Sequence, residues 1–172
     1  MSNTESTPQD NQQKNDSFRK MRFMSRLLLV QLLYRCECYH DWSLPSDEEL
    51  EDFFSLSREL DDVSDSCFAN ARKRAIKLLP MLLASVDTLD GLITEAASNW
   101  SLKRMSYVDR NILRLGVFEM KSVNNVTPAI AINEAIELAK LMGEHDSPRF
   151  INGVLDKIRR SLNRQNHQEQ AE

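Results

Sequence analysis

Glycine and proline are scarce in this chain of 172 residues, at 4 and 5. Four scattered glycines cannot build a phosphate-cradling loop of the GxGxxG or P-loop kind, and no nucleophile elbow is present. So few turn-forming residues also exclude a sandwich or another loop-rich fold. Cysteine is limited to Cys36, Cys38 and Cys67. That odd number with uneven spacing is no disulfide framework, and it points to a reducing cytoplasm. No unbroken aliphatic run exceeds the four residues of Leu27–Val30, far short of the roughly 20 that a membrane span needs. Residues 1–17 contain no apolar stretch of the signal-peptide kind, so a soluble protein with no membrane segment is expected.

Net charge is −4, which by itself argues against a surface coated with nucleic acid. The distribution is uneven, however. Residues 19–40 hold Arg19, Lys20, Arg22, Arg26 and Arg35 against Glu37, a balance of +4. Residues 41–65 hold Arg58 against ten acids, a balance of −9. An acidic average therefore conceals a basic segment.

Residues 1–17 are rich in Gln, Asn, Ser and Thr and are expected to form a disordered tail, because they offer almost no apolar surface to offset chain entropy. Residues 163–172 have the same character. Between the tails, residues 18–162 read as one helical domain. Good helix formers fill most windows, and strand-like alternation is missing.

A first helix is expected over Phe18–Tyr39, apolar around most of its circumference and therefore buried. Ser46 and Glu49 make a capping box for an acidic helix anchored by Leu50, Phe53 and Phe54. A helix over Ser64–Ala84 should be kinked or divided at Pro80. Asp87 is expected to cap the next. Ser106 with Asp109, Thr127 with Pro128, and Asp146 or Ser147 with Pro148 mark the starts of three more, and Gly143 the end of the second of these. The sum is an all-α protein of six or seven helices.

Candidate catalytic or metal-binding groups are few. Cys36, Cys38 and His40 lie close in sequence, but on a helix Cys38 points nearly opposite the other two, which favours buried structural thiols over a zinc site. His145 beside Asp146 fits a helix-capping turn, since no nucleophile accompanies the pair. Glu134 and Glu137 fit a solvated helix face. No cofactor, metal or catalytic group is expected.

Arg19, Arg22 and Arg26, at i, i+3 and i+7, share one helical face and can follow a phosphate backbone; solvated charge is the alternative. Arg149, Lys157 and Arg160 share another polar face, and beside Arg149 stands Phe150. An aromatic next to arginine at a helix start suits base stacking, and it equally suits the edge of a core.

Three stretches together resemble the NusB family of transcription antitermination factors: YVDRNILRLGVFE at 107–119, AINEAIELAK at 131–140 and DSPRFINGVLDK at 146–157. Shorter echoes are VQLLY at 30–34, LDGLI at 89–93 and WSLKR at 100–104. The resemblance implies an all-α bundle of about seven helices in two subdomains, here over residues 18–162. It implies a non-enzymatic cytoplasmic factor that pairs with the ribosomal protein NusE. The pair would bind boxA RNA and, within the RNA polymerase antitermination complex, promote read-through on ribosomal RNA operons.

By similarity, Arg22 and Arg26 fall in the arginine-rich start of the first helix, and Arg19 shares their face by spacing. By the same similarity Arg149, Phe150 and Asn152 fall in the RNA-facing loop and helix entry, Asp146 matches an acid beside that RNA surface, and Tyr34 and Asp109 face NusE. Where the family often carries consecutive arginines, this chain reads Arg22, Phe23, Met24, Ser25, Arg26. That departure keeps open a second reading, a helical interaction module that has lost RNA binding. A third, the helical domain of an RNA methyltransferase, would need a cofactor-binding domain, which these residues do not contain.

Overall fold

The computed structural model describes residues 8–60, 63–97 and 100–169. Among them are seven α-helices and a short 3-10 turn: α1 (Pro8–Tyr39), α2 (Asp47–Leu60), α3 (Asp65–Ala84), α4 (Val86–Ala96), the turn Leu102–Arg104, α5 (Tyr107–Ser122), α6 (Pro128–Met142) and α7 (Ser147–Glu169). The protein is all-α and divides into two compact units. The first comprises residues 1–29 and 45–78, the second residues 30–44 and 79–172. No described helix is long and apolar enough to cross a membrane.

In the first unit, Leu50 and Phe54 of α2 and Phe68, Ala71 and Ala75 of α3 are buried. Each large aliphatic or aromatic side chain removed from water in this way contributes about 1.5–3 kcal/mol. The Ser46–Glu49 box forms in both directions: the Glu49 amide donates to Ser46 Oγ (3.3 Å) and the Ser46 amide to Glu49 Oε2 (2.9 Å). The Arg72 guanidinium lies over the Phe54 ring and pairs with Glu51, covering the apolar contact from outside.

In the second unit, α5 is the central helix, with every residue from Arg110 to Glu119 buried. Gly116 lets α7 approach closely, since a Cβ there would meet Leu155 Cδ1 at 2.8 Å. Four charged groups inside this unit compensate one another. Glu37 forms ion pairs with Arg110 (Nε to Oε1, 2.6 Å) and Arg114 (Nη1 to Oε2, 3.1 Å), and Arg114 also donates two hydrogen bonds to Asp90 (2.7 and 2.7 Å). Burial alone would lower the Arg114 pKa; Asp90 and Glu37 more than offset it, so the guanidinium is held above its ordinary value. The C-terminal part of α1 is thereby tied to α4 and α5 by ion pairs that lose much if either partner is removed.

Several expectations need correction. Helix α1 starts at Pro8, so residues 8–17, expected in the tail, form its first turns. Proline is favoured at a first helical position, and extending a helix already nucleated costs less than starting one. Residues 1–7 lie outside the described residues. At the other end α7 runs on through residues 163–169 by the same logic, and 170–172 lie outside. Pro80 does not divide α3, which runs as one helix from Asp65 to Ala84.

The N-cap of α4 is Ser85, whose hydroxyl donates back to the Met81 carbonyl (2.7 Å). Asp87 therefore sits inside the first turn, where its charge suits the helix dipole. Cys36 and Cys67 are buried, but Cys38 is exposed. His40 has φ 54°, and the His40 and Asp41 amides donate to the Glu37 and Cys36 carbonyls (3.2 and 3.0 Å). This is the left-handed closing turn of a Schellman motif, so backbone geometry accounts for a residue that in sequence suggested a metal cluster.

Candidate nucleic-acid interface

Helices α6 and α7 are joined by a tight turn that fixes the start of α7. The Ser147 hydroxyl accepts from the Glu144 amide (3.0 Å) while the Ser147 amide donates to the Glu144 carbonyl (3.0 Å). Gly143 is required here, because a Cβ would stand 2.6 Å from Ser147 Cβ. With Ser147 turned inward, Asp146, Arg149 and Asn152 project to solvent. Asp146 Oδ1 lies 3.2 Å from His145 Nδ1, both side chains almost fully exposed.

Phe150, one residue past Arg149, is half-buried, and its ring meets Trp100 edge-on at a centroid distance of 6.0 Å and 61°. Trp100 is 54% exposed. The pair lines a shallow depression with Asp146, Arg149, Gly153 and Lys157. Lys157 Nζ donates to the Ala96 carbonyl at the C-terminal end of α4 (2.7 Å), an orphan backbone acceptor that holds the ammonium at the rim. Next to it Asp156 receives bonds from Arg159 and Arg160. The Arg159 hydrogen bond, aided by the Arg160 charge, keeps the Asp156 carboxyl below the usual range against the opposing effect of burial. A depression with an aromatic floor and cations at its edge can stack a base while neutralising its phosphate.

Asp146, Arg149 and Phe150 are thus brought together at the depression of the second unit, and Asn152 is exposed on α7 outside its lining. Sequence reasoning missed Trp100 as a partner of Phe150, since the two lie 50 positions apart and the loop holding Trp100 has no local pattern. Lys157 was legible only as part of a polar face.

Arg19, Arg22 and Arg26 of α1 belong to the first unit. Arg19 is exposed, and Arg22 is half-buried with its guanidinium 5.3 Å from the Phe18 ring centre. Arg26 departs from the expectation of one exposed basic face, for it is only 2% exposed. Burial is unbroken from Met24 to Val30, so the helix leaves the surface before its third arginine.

Tyr34 and Asp109 lie in the second unit. Tyr34 is 42% exposed and meets the Tyr107 ring at 6.0 Å and 65°. A hydrogen bond with the Cys38 side chain, the largest cause, raises the Tyr34 phenol above its ordinary pKa. The Asp109 amide donates to Ser106 Oγ (3.0 Å), but carboxylate Oδ1 is enclosed with no hydrogen-bond partner, so only half of the expected capping box is formed.

Comparison with known proteins matches residues 24–160 to the NusB family. The transcription antitermination protein NusB of Desulfotalea psychrophila is 36% identical over 139 residues, which cover 81% of this chain and 95% of that protein. NusB of Myxococcus xanthus is 37% identical over 135 residues, covering 78% and 91%. Among solved structures, NusB from Aquifex aeolicus superposes with a TM-score of 0.65 at 26% identity, covering 84% of this chain and 91% of that one. A crystal structure of antitermination factors NusB and NusE in complex with dsRNA gives a TM-score of 0.60 at 26% identity, covering 84% and 97%.

Proposed function

The chain belongs to the NusB family, and from that premise we propose that it is a cytoplasmic, non-enzymatic antitermination factor that pairs with NusE, binds boxA RNA and promotes read-through by RNA polymerase on ribosomal RNA operons. The observation that carries the RNA assignment is the Trp100–Phe150 pair, two aromatic rings left open to solvent beside Arg149 and Lys157. A monomer with no ligand for this place gains nothing by exposing them, whereas an unstacked base finds a platform and its phosphate finds a cation.

In this reading Arg149 and Lys157 contact phosphates. Asp146 and Asn152 accept or donate hydrogen bonds at base edges or 2′-hydroxyls, which distinguish RNA from DNA. Arg19 and Arg22 add phosphate contacts from the first unit, and Arg26 serves its interior instead. Tyr34, with Tyr107 and Asp109, forms the face for NusE, a tyrosine burying a large ring while keeping a hydroxyl for its partner.

The burial of Arg26 favours examining one alternative, a module that binds NusE but no RNA. Co-purification with NusE, followed by RNA shift measurements with and without NusE over a range of salt, separates them. Tighter, salt-dependent binding of boxA RNA by the pair is expected. A complex with NusE that never shifts RNA would establish the alternative.

A further inference from the structure

A second basic surface lies wholly within the first unit, in a groove between α1 and α3. Lys14, Ser17, Phe18 and Met21 border it from α1, and Asn70, Lys73, Arg74 and Lys77 from α3. Four of its ten lining side chains are cationic and none is acidic. Lys14, Lys73 and Lys77 are exposed, and among the described residues none of the three has a carboxylate partner. The contrast within the same unit is informative: on the other side of α3, Arg72 pairs with Glu51 and Arg58 with Asp65. The neighbouring α2 carries Asp47, Glu48 and Glu49 in its first turn alone, so acids are plentiful in this unit, and they are absent from the groove.

Phe18, 53% exposed, stands at the α1 border with the half-buried Arg22 over its ring, so the groove is continuous with that arginine of α1. Three unneutralised ammonium groups beside an open aromatic ring suit a polyanion that also presents stacking faces. A single-stranded RNA has both; an acidic protein segment has only the charge.

We propose that this groove holds RNA flanking the recognised element, with Lys14, Lys73 and Lys77 contacting its phosphates and Phe18 receiving a base. The assignment rests on the RNA-binding reading above and extends it to a surface of the first unit that supplies affinity without sequence preference. Phosphate contacts of this kind position a strand and carry no base information.

The test uses the full chain in complex with NusE, with two RNA probes: a short strand holding the boxA element only, and the same element extended on both sides by uridines. The variant is the triple substitution Lys14→Gln, Lys73→Gln, Lys77→Gln. On the extended strand, the slope of log affinity against log salt should fall by about 2, roughly 0.7 for each lost contact to a single strand. On the short strand the slope should be unchanged. Melting curves check that the variant is folded, as substitution of exposed lysines should leave it. Equal slopes for parent and variant on both strands would show the lysines to be solvated or to serve an acidic protein, and overturn the proposal. Equal loss on both strands would place them in the core site and overturn it also. If the parent complex binds neither strand, the RNA-binding reading itself fails, an outcome distinct from the other two.

Discussion

The Trp100 ring stands edge-on to Phe150 at 6.0 Å, joining the loop after α4 to the start of α7. Both rings line the depression, so each is available to a base as well as to the other. Phe150→Ala should weaken RNA binding by about 1–3 kcal/mol, the range for a lost base–aromatic stack. Phe150 is only half-buried, so its loss of stability should fall below the roughly 3–5 kcal/mol of a core phenylalanine. Melting and binding curves on the same sample decide. A core-sized destabilisation with unchanged affinity per folded molecule would remove Phe150 from the interface.

Arg22 and Arg26 separate two consequences of one helical spacing. Arg22→Ala should leave the melting temperature nearly unchanged and reduce the salt slope of RNA binding by about 0.7. Arg26→Ala should do the opposite, lowering stability by roughly 0.5–3 kcal/mol because a side chain only 2% exposed is removed from the packed interior. Denaturant unfolding beside salt titrations measures both. A stable Arg26→Ala protein with a reduced slope would return that side chain to the RNA surface.

These two arginines also mark how much could be read from residues alone. Helix number, the Ser46–Glu49 box and Thr127 with Pro128 are legible because they depend on neighbours within a few positions. Arg26 is not, since spacing gives the face a residue shares and packing decides whether that face is exposed. Trp100 is not, because its partner is distant in sequence and no pattern marks the loop between. The Asp109 carboxylate is a third case: the backbone half of its capping box was visible in the S-x-x-D spacing, and the unfilled half only in coordinates.

Asp109 thereby yields a clean separation of roles. Its amide, which Asp109→Asn keeps, makes the bond to Ser106 Oγ. The substitution should cost α5 no more than the loss of an acid from its first turn, about 0.3–1 kcal/mol. If the half-buried carboxylate instead serves a donor on NusE through its other oxygen, calorimetry should show weakened association, and Tyr34→Ala should weaken it as well. NusE affinity unchanged in both variants would move the partner face elsewhere.

Asp156 predicts an acid dependence. Its carboxyl is held below the usual range in the folded chain, chiefly by the Arg159 hydrogen bond. The stabilisation is therefore fully present above the ordinary carboxylate pKa of about 3.9 and lost as pH falls through the lower folded value. Asp156→Asn should lower the melting temperature at neutral pH, and the gap between parent and variant should narrow at about pH 3 and below. A gap that stays constant across that range would show the Arg159 and Arg160 contacts to contribute nothing to stability.

Gly153 lines the same depression from α7, and a Cβ built on it meets no atom within 4 Å. Two effects of a larger side chain then point in opposite directions. Within a helix, glycine is less favourable than alanine by about 0.8–1.0 kcal/mol, and leucine is among the good helix formers, so Gly153→Leu should preserve or raise the melting temperature. In the depression, the new side chain would stand where the base and its phosphate are proposed to lie, beside Phe150 and Lys157, and binding should fall. A protein made no less stable yet poorer at binding RNA cannot be explained by damage to the fold, which makes this substitution a direct probe of where the strand runs. Should Gly153→Leu bind boxA RNA as tightly as the parent, with the NusE complex intact, the strand does not cross this depression, and the aromatic pair at Trp100 and Phe150 must serve another purpose.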